Sequence, residues 1–310
     1  MNIFITGANG FVGSNLSKYL DSNKYHVYKL IRNSTEKENL TWEDIDNKSI
    51  DLNHFDVYIH LAGKVHDLKN IKEDNEYLEV NYFMTKKIFD LFIQSTGKIF
   101  IFMSSVKAAM DHFQGKLSEN IIPDPKTAYG KSKLAAEKYI LSQTLPYNKK
   151  VYILRACMIH GPGNKGNLNI LYQFVNKGIP YPLLSFKNER SFLSIENLCF
   201  IITKIISKDY MPSGIYNVAD DEPISTSDLV RIIGKVINKK PIMLSIPKAI
   251  ILFIAFLGNI IHLSFNKEQL VKLTEDYVVD NNKIKKALGI SNLPISTKEG
   301  LIKTIKSFNK

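Results

Sequence analysis

Cysteine and tryptophan are scarce in this 310-residue chain, which has two cysteines and one tryptophan. Cys157 and Cys199 are too few for a disulfide framework or a cysteine zinc site, and no metal site is predicted. The first residues, MNIFITGANG, lack the basic and apolar regions of a signal peptide. We therefore expect a protein of the reducing cytoplasm.

Internal repeats and low-complexity stretches are also missing, and 16 glycines and 11 prolines are ordinary numbers. Hydrophobic residues make up 45% of the chain. At this length they can build one large core or two modest ones. Disordered, collagen-like and repeat classes are therefore excluded.

Positive charge is in excess, with 41 Lys and Arg against 30 Asp and Glu and a net charge of +11. A nucleic-acid-binding protein concentrates such charges in one patch or element. Here they are scattered, and the densest cluster, residues 283–286, holds three lysines. We predict no nucleic-acid partner.

Short apolar runs alternate with segments of helical spacing in the first half of the chain. Asn2 to Thr6 is such a run, and Phe11, Val12, Leu16 and Leu20 follow at helical spacing. Further apolar runs lie at 27–31, 57–61, 99–103 and 151–154, and further helical spacing at 77–93 and 128–145. This alternation predicts an α/β fold, a Rossmann-type doubly wound parallel sheet with helices on both faces.

The pattern changes near residue 161, where glycine and asparagine become dense. A sixth strand is predicted around 215–219, and a capped helix from Ser225 or Thr226 through Ile237. We predict a Rossmann domain at 1–165 that also receives about 190–220. A smaller mixed α/β domain, 166–189 and 221–310, would form a substrate-binding lid over the carboxyl edge of the sheet, where ligands bind.

A glycine-rich turn, GANGFVG at 7–13, follows the first strand. Glycines there let the backbone turn sharply and approach a pyrophosphate, which binds at the N-terminus of the next helix. The position directly after a predicted buried strand favours dinucleotide binding over an ordinary tight turn. The predicted cofactor-binding residues are Gly7, Asn9, Gly10, Phe11, Val12 and Gly13.

The end of the second strand, residues 29–33, contains no acid and one arginine, Arg32. An acid there holds the ribose 2′-hydroxyl of NAD, whereas an arginine accommodates the 2′-phosphate of NADP. NADP is therefore slightly preferred over NAD, although Arg32 could also be a solvated loop residue. Asp44 and Ile45, or Asp51 and Leu52, could contact adenine, and spacing does not choose between the pairs.

A tyrosine and a lysine, Tyr129 and Lys133, lie four residues apart at the start of a predicted helix and so project from one face. A neighbouring cation lowers the pKa of a phenol and makes it a usable acid-base group. Ser104 and Ser105 end the fourth strand, where a hydroxyl could orient a substrate alcohol or ketone. Together with the glycine loop, these residues predict a catalytic site rather than an exposed helix pair.

The combined motifs resemble an extended short-chain dehydrogenase/reductase of the NAD-dependent epimerase/dehydratase family, over residues 1 to about 305. The motifs are GANGFVG at 7–13, HLAG at 60–63, Asn81, SS at 104–105, YGKSK at 129–133, HGPG at 160–163 and RSFLSIENL at 190–198. The branch it resembles acts on nucleotide-linked sugars. The resemblance implies a 4-epimerase or 4-keto reductase of a UDP-linked (N-acetyl)hexose in bacterial surface-polysaccharide biosynthesis.

The same resemblance assigns site residues. It implies Tyr129 as the acid-base catalyst, Lys133 as its partner on the nicotinamide ribose, and Ser105 as the hydroxyl beside the sugar C4 oxygen. It adds His60, Leu61, Ala62, Gly63, Asn81 and Ser104 to the cofactor site and Lys107, Asn167 and Arg190 to the substrate site. It also implies a homodimer through paired helices, one of which carries Tyr129. Taken singly, His60 could be a core histidine, Asn81 a capping or surface residue, and Arg190 a solvated charge.

Two rival functions are less consistent with the sequence. A 4,6-dehydratase is disfavoured because the serine pair is not followed by the Asp-Glu that those enzymes use. A non-catalytic, NAD(P)-sensing binding protein would keep the fold without the chemistry. The intact Ser, Tyr and Lys set disfavours it.

One long segment, Ala249–Asn266, contains no charged residue and is flanked by Lys248 and Lys267. Its 18 residues reach the lower limit for a membrane-spanning helix, but Asn259, His262 and Ser264 interrupt it. We predict a buried or interfacial helix of the lid. The alternative is a peripheral surface that docks on anionic lipid at the inner face of the membrane, which would suit a polyprenyl-diphosphate-linked sugar.

Overall fold

The computed structural model of the protein describes residues 1–31, 39–64, 74–164, 166–208, 210–260 and 267–308. Two sequence predictions fall outside these ranges. They are Arg32 and the last six residues, 261–266, of the uncharged segment.

A central sheet of seven parallel strands organises the molecule, in the order β3-β2-β1-β4-β5-β7-β10. Small two-stranded sheets pair β11 with β6 and β8 with β9. The strands of the described residues are β1 (Asn2–Thr6), β2 (His26–Ile31), β3 (Asn39–Thr41), β4 (Val57–His60), β5 (Ile99–Ser105), β6 (Lys116–Leu117), β7 (Lys150–Ala156), β8 (Met158–His160), β9 (Phe192–Ser194), β10 (Gly214–Val218) and β11 (Val278–Val279).

Helices connect the strands and cover the sheet. They are α1 (Phe11–Ser22), α2 (Trp42–Asp46), α3 (Asp74–Leu78), α4 (Met84–Gln94), α5 (Ala128–Ser142), α6 (Asn167–Asn176), α7 (Ile195–Ser207), α8 (Thr226–Val236), α9 (Lys248–Ile260), α10 (Lys267–Thr274), α11 (Asn282–Leu288) and α12 (Thr297–Ser307). A π-helical segment, Glu79–Phe83, joins α3 to α4, and 3-10 turns cover Leu52–His54 and Val106–Ala108. In the described ranges no helix is long and apolar enough to span a bilayer.

Two hydrophobic cores lie on opposite faces of the sheet. Leu16 of α1 and Ile202 of α7 belong to one, and Phe89 of α4 and Ile140 of α5 belong to the other. Every residue of β5, at the centre, is buried, as expected for a parallel strand that is covered on both faces. The predicted Rossmann-type doubly wound fold is confirmed, whereas the short edge strand β3 was not predicted.

A third core holds the lid together. It joins Tyr172 of α6, Ile233 of α8, Ile251 of α9 and Leu301 of α12. The predicted cap of α8 is present, since the Ser225 hydroxyl accepts a hydrogen bond from the backbone N–H of Asp228 at 2.9 Å.

Part of the C-terminal range that was predicted to belong to the lid packs on the sheet instead. Val279, Ile284 and Leu288 pack in the core of α1 and α7 on the sheet, not in the third core. The range 221–310 therefore contributes to both the sheet domain and the lid. The predicted domain limits stay a prediction.

Candidate active site

A cavity of about 840 Å³ lies at the carboxyl ends of β1, β4, β5 and β7, where the lid meets the sheet. Its walls include the turn after β1, Leu61 and Gly63 after β4, residues 103–107 around the end of β5, and Asn167 and Arg190 from beyond β8. Parallel strands bring their carboxyl ends to one edge, so residues far apart in sequence meet here.

The turn after β1 requires its glycines. Gly7 has a φ of +70°, and a Cβ on it would lie 2.7 Å from the backbone N of Ala62. A Cβ on Gly13 would lie 2.2 Å from the carbonyl oxygen of Gly7. Gly10 precedes α1 and has no side chain to cap the first N–H groups, which are thus available to an anion. This cradle fits the pyrophosphate of a dinucleotide.

The predicted members of the turn divide into two groups. Gly7, Gly10, Phe11, Val12 and Gly13 line the cavity. Asn9 is exposed at the tip of the turn and is not among the described residues of the cavity wall. A role for Asn9 in cofactor binding therefore stays a prediction.

Ser105, Tyr129 and Lys133 are brought together on the cavity wall. The Ser105 side chain lies near the Tyr129 phenol and favours its ionised form. Lys133 lies one turn along α5 from Tyr129 and is 4% exposed, and its Nζ donates to the carbonyl oxygen of Met103 at 3.0 Å. The structure thus assembles the three residues predicted to be catalytic.

The first turn of α5, which carries Tyr129, is held by a hydrogen-bond cluster. The hydroxyl of Thr127, the N-cap, accepts from the N–H of Gly130 at 3.2 Å and donates to the Asp111 carboxylate at 2.8 Å. That carboxylate also accepts from the backbone N–H groups of Lys126 and Thr127 at 2.6 and 2.9 Å. These bonds satisfy N–H groups at the N-terminus of α5 and fix the position of the helical turn that carries Tyr129.

Burial raises the pKa of the Tyr129 phenol, and the neighbouring Ser105 side chain opposes the increase. Burial therefore dominates the pKa of this phenol, and a lowering by Lys133 stays a prediction. Burial lowers the pKa of Lys133 to about 8, while the negative charge of Glu137 raises it. Lys133 thus keeps its positive charge at neutral pH.

A buried ion pair lies beneath the catalytic residues. Arg155 of β7 donates from Nε and Nη2 to the Glu137 carboxylate at 3.0 and 2.6 Å, and both side chains are about 1% exposed. Ser104 donates to the same carboxylate at 2.5 Å. Ser104 also lines the cavity wall, and its predicted contact with the cofactor stays a prediction.

His60 is a core residue, the alternative that the sequence had left open. Its ring is fully buried and lies 2.7 Å from the Thr6 hydroxyl and 2.9 Å from the Thr85 hydroxyl. It also stacks on Phe102 with ring centroids 5.8 Å apart. Burial, followed by the charge of Lys133, lowers its pKa to about 3. His60 is not among the described residues of the cavity wall, and its contact with the cofactor stays a prediction.

Asn81 lies in the π-helical segment and connects two parts of the site. Its Oδ1 accepts from the N–H of Lys64 at 2.8 Å, and its Nδ2 donates to the hydroxyl of Ser132 on α5 at 3.0 Å. A Cβ on Gly63 would lie 2.9 Å from Asn81 Oδ1 and 3.0 Å from Lys133 Nζ. Asn81 thus links the chain after β4 to α5, and its predicted role in cofactor binding stays a prediction.

Leu61 and Gly63 line the cavity wall, as predicted. Ala62 lies between them, and its N–H donates to the Thr6 hydroxyl at 3.1 Å. Its side chain is not among the described residues of the wall. Ala62 therefore orders the turn rather than facing the cavity.

The predicted adenine contacts lie apart from this cavity. Asp44 caps α2, and its carboxylate accepts from the N–H and the hydroxyl of Thr41, each at 2.7 Å. These hydrogen bonds lower its pKa. Ile45 is buried in a core, while Asp44 lines a separate depression of about 620 Å³ with Tyr28 and Asp51. Neither the contact by Asp44 and Ile45 nor that by Asp51 and Leu52 is tested, and both stay predictions.

The predicted substrate residues, Lys107, Asn167 and Arg190, all line the cavity. Arg190 is fixed through its backbone, which exchanges hydrogen bonds of 3.0 and 2.9 Å with Ile224. Burial lowers the pKa of its guanidinium, and the charge of Glu275 opposes that shift. Lys107 places its ammonium 4.5 Å from the ring centroid of Tyr277.

The sequence did not identify several residues of the cavity wall. The clearest is Tyr277, whose hydroxyl donates to the carbonyl oxygen of Met110 at 2.6 Å, across 167 positions of the chain. No motif surrounds it, so only the tertiary fold could reveal it. The others are Met103, Val106, Ala156, Cys157, Met158, Ile159, His160, Asn164, Gly166, Leu168 and Ser191. Of these, His160 belongs to the HGPG motif, which could have identified it as a residue of the site.

The part of the chain that the structure describes contains no group of three His, Cys, Asp or Glu side chains that could hold a metal ion. The polar groups of the cavity instead suit an anionic organic ligand, with Lys107, Lys133 and Arg190 on its walls.

Comparison with known proteins agrees with this geometry. The chain is 32% identical over 322 aligned residues to a UDP-glucose 4-epimerase of Vibrio cholerae, covering 99% of this chain and 95% of that protein. A UDP-glucose 4-epimerase structure from Thermotoga maritima superposes with a TM-score of 0.75 at 20% identity, over 100% of this chain and 99% of that one. A Bacillus cereus UDP-glucuronic acid 4-epimerase structure in complex with NAD gives the same TM-score, identity and coverage.

The sequence profile of the NAD dependent epimerase/dehydratase family matches residues 3–219, which include the glycine turn and all three catalytic candidates. That match covers most of the chain, and the relative from Vibrio cholerae extends the similarity over nearly all of it. The chain therefore belongs to the NAD dependent epimerase/dehydratase family and is an NAD(P)-using enzyme of the extended short-chain dehydrogenase/reductase type.

Proposed function

We propose that the protein is an oxidoreductase acting at C4 of a nucleotide-linked hexose, as a 4-epimerase or a 4-keto reductase. The observation that carries the proposal is the assembly of Ser105, Tyr129 and Lys133 on one cavity wall, next to a glycine cradle that fits a dinucleotide. The relative from Vibrio cholerae, named as a UDP-glucose 4-epimerase, supports a UDP-linked hexose or N-acetylhexose and favours epimerisation.

Each catalytic residue has a distinct task in this proposal. Bound NAD(P) supplies the acceptor or donor of hydride, and the glycine turn and Lys133 would hold it. Tyr129 takes the proton of the C4 hydroxyl when the sugar is oxidised and returns it when the ketone is reduced. Ser105, which lies near Tyr129, orients the C4 oxygen towards that phenol. The positive charge of Lys133 favours the phenolate that proton transfer produces.

The lid supplies the groups that would bind the nucleotide diphosphate. Arg190 offers a planar set of donors that can contact two phosphate oxygens at once. Lys107 and Asn167 line the same cavity and would add contacts to the phosphates or to the sugar. An epimerase needs the 4-keto sugar to turn over between oxidation and reduction, and a cavity of about 840 Å³ gives space for this.

A phenylalanine at position 129 tests the proposal. We expect Tyr129→Phe to lower kcat for UDP-glucose and UDP-galactose interconversion by about 10²- to 10⁴-fold, the range that general acid-base groups contribute. NAD(P) binding, measured by fluorescence titration, should stay nearly unchanged. The matched control is Tyr147→Phe, because Tyr147 is fully exposed and outside the described cavity wall. Undiminished turnover by Tyr129→Phe would refute the assignment.

Cofactor identity separates the two reactions. NADP stays slightly preferred because residues 29–33 contain no acid and include Arg32. Denaturing the purified protein and identifying the released dinucleotide tests this preference. Released NAD would favour the self-contained epimerase, whereas an empty site that binds NADPH tightly would favour the reductase.

Three further parts of the proposal concern context. A homodimer through paired helices, one of which carries Tyr129, is supported by two exposed apolar side chains, Phe83 beside α4 and Leu141 on α5. Sedimentation velocity on a Leu141→Glu variant would test it, with a shift to monomer as the expected result.

Bacterial surface-polysaccharide biosynthesis is the proposed pathway class. A polyprenyl-diphosphate-linked sugar remains the alternative substrate, to be compared with UDP-sugars in the same assay.

A further inference from the structure

Helix α9 exposes a set of large apolar side chains that no described part of the protein covers. Phe253 is 60% exposed and Phe256 57%, and Ile250, Leu252, Ile254 and Leu257 are also exposed. Among residues 248–257 of this helix, Ile251 and Ala255 are the buried ones, in the core of the lid. A contiguous apolar surface of this kind marks an interaction site on a folded protein.

The helical period shows how this surface is arranged. At 3.6 residues per turn, Ile251 and Ala255 lie on one side of α9, facing the lid. Phe253 then points to the opposite side, with Phe256 and Leu257 next to it. The apolar residues therefore cover the outward face of the helix as well as its flanks. We call this outward face, with Ile250, Phe253, Phe256 and Leu257, the α9 face.

Neighbouring segments add to the apolar surface of the lid. Ile242 and Leu244 are exposed just before α9, while Met243 between them packs on the lid core. Helix α10 packs against α9, and its Val271 and Leu273 are also exposed. The exposed apolar residues thus belong to a folded, anchored part of the lid.

The surrounding charge points to the chemistry of the partner. Residues 229–267 contain six basic residues and no acidic one. Arg231 is paired with Asp228, but Lys240 and Lys248 are exposed beside the apolar segment. A second copy of this chain would bring like charges together, which is unfavourable. An anionic lipid bilayer offers both an apolar layer for the aromatic rings and negative headgroups for the lysines.

We propose that the α9 face docks the protein on anionic lipid bilayers, with α9 lying in the interface rather than crossing it. The described part of α9, Lys248–Ile260, has thirteen residues, which are too few to span a bilayer. The α9 face also has a mechanical connection to the cavity, because Ile251 and Ala255 share the lid core with Tyr172 and Val175 of α6. Helix α6 begins at Asn167 on the cavity wall. Docking would therefore hold the substrate lid at the membrane surface.

Vesicle co-sedimentation of the full-length protein tests the docking. We expect binding to phosphatidylcholine vesicles that contain phosphatidylglycerol, weaker binding to phosphatidylcholine alone, and a decrease as NaCl rises. The variant Phe253→Ser/Phe256→Ser should bind the anionic vesicles at least about tenfold more weakly, since it loses two aromatic side chains from the apolar layer. Wild-type binding by this variant, or no binding by the unmodified protein, would overturn the proposal.

A matched control separates this surface from general loss of apolar residues. Ile122 and Tyr147 are 85% and 106% exposed and lie outside the lid segment. The variant Ile122→Ser/Tyr147→Ser should bind vesicles like the unmodified protein. Lys240→Glu/Lys248→Glu should weaken binding to anionic vesicles and remove most of its salt dependence. An equal loss in the control variant would count against the α9 face.

Two further measurements distinguish the alternatives. Sedimentation velocity without lipid tests the second copy as occupant, and dissociation of a dimer by Phe253→Ser/Phe256→Ser would overturn lipid docking in favour of self-association. Turnover of UDP-sugars should be unchanged in that variant, because neither phenylalanine lies on the cavity wall. Failure of docking with intact turnover would leave the proposed reaction standing, and the reverse result would leave the docking standing.

Discussion

The two sides of the cavity are positioned in different ways. On the sheet side, Tyr129, Lys133 and Ser105 rest on buried charges and hydrogen bonds, with Glu137 and Arg155 beneath them. On the lid side, Arg190 is fixed through its backbone by Ile224 and by a bridge to Tyr277. The sheet side is thus a polar network within one domain, whereas the lid side is assembled from distant segments.

This difference separates stability from specificity. Buried polar networks resist change because each removed partner leaves another charge or donor unsatisfied. Side chains held through their backbone can change with less effect on folding. We therefore expect substitutions beneath the sheet side to unfold the protein, and substitutions on the lid side to alter substrate binding.

The largest effect is expected from Glu137→Ala. It leaves the Arg155 guanidinium buried without its carboxylate, which should lower the free energy of unfolding by about 3–5 kcal/mol. Urea denaturation followed by circular dichroism measures this. The matched control is Glu196→Ala, whose carboxylate pairs with Lys303 at 2.9 Å on the surface and should change stability by less than about 1 kcal/mol. Similar losses of unfolding free energy in both variants would contradict the proposed role of the buried ion pair in stability.

A smaller effect, on binding, is expected from Arg190→Ala. Loss of hydrogen bonds from a charged group to the substrate should raise the activation free energy that corresponds to kcat/KM for the nucleotide sugar by about 1.5–3 kcal/mol. Because the backbone of Arg190 keeps its bonds to Ile224, the melting temperature should fall less than in Glu137→Ala. Steady-state kinetics and thermal denaturation test the two halves. Arg190→Lys should recover part of the loss if charge matters, and a lost melting transition would contradict the lid-side role.

The sheet side was also the part that sequence could predict. Strand ends place Ser105 and the glycine turn at one edge, and spacing of four on a helix aligns Tyr129 with Lys133. These are local rules that act within a few residues. The family resemblance added the roles of these residues and also identified Asn81 as a support.

Other residues depend on contacts that no local rule encodes. His60 belongs to a motif, but its neighbours Thr6 and Thr85 make it a core residue rather than a cavity residue. Tyr277 reaches the site across the chain and has no motif around it. The pKa of Tyr129 was expected to fall, but the structure shows an increase because burial, unlike charge, cannot be read from spacing.

The stability of the sheet side should depend on pH through His60. Burial lowers the pKa of His60 to about 3, while an unfolded histidine titrates near its ordinary value of 6.5. Above pH 6.5 the ring is neutral in both states and has no effect. Below it, the unfolded chain binds a proton that the folded chain excludes, so stability falls by up to about 1.4 kcal/mol per pH unit.

Urea denaturation at pH 7 and pH 5 in the unmodified protein and in His60→Gln isolates this contribution. The variant is expected to be less stable at pH 7, since it disturbs buried hydrogen bonds, but to lose less stability between the two pH values. Equal losses in the two proteins would assign the acid sensitivity to other groups.

The smallest change in stability is expected from removing a helix N-cap. One such cap lies on each side of the cavity. Thr127→Ala removes the cap of α5, and Ser225→Ala removes the corresponding cap of α8 in the lid. Each should cost about 0.5–2 kcal/mol of unfolding free energy, because a hydroxyl acceptor is lost at a helix N-terminus. Only Thr127→Ala should also lower kcat, since Tyr129 lies in the turn that Thr127 and Asp111 fix. Equal changes in kcat for the two variants would mean that the position of the phenol does not depend on its cap.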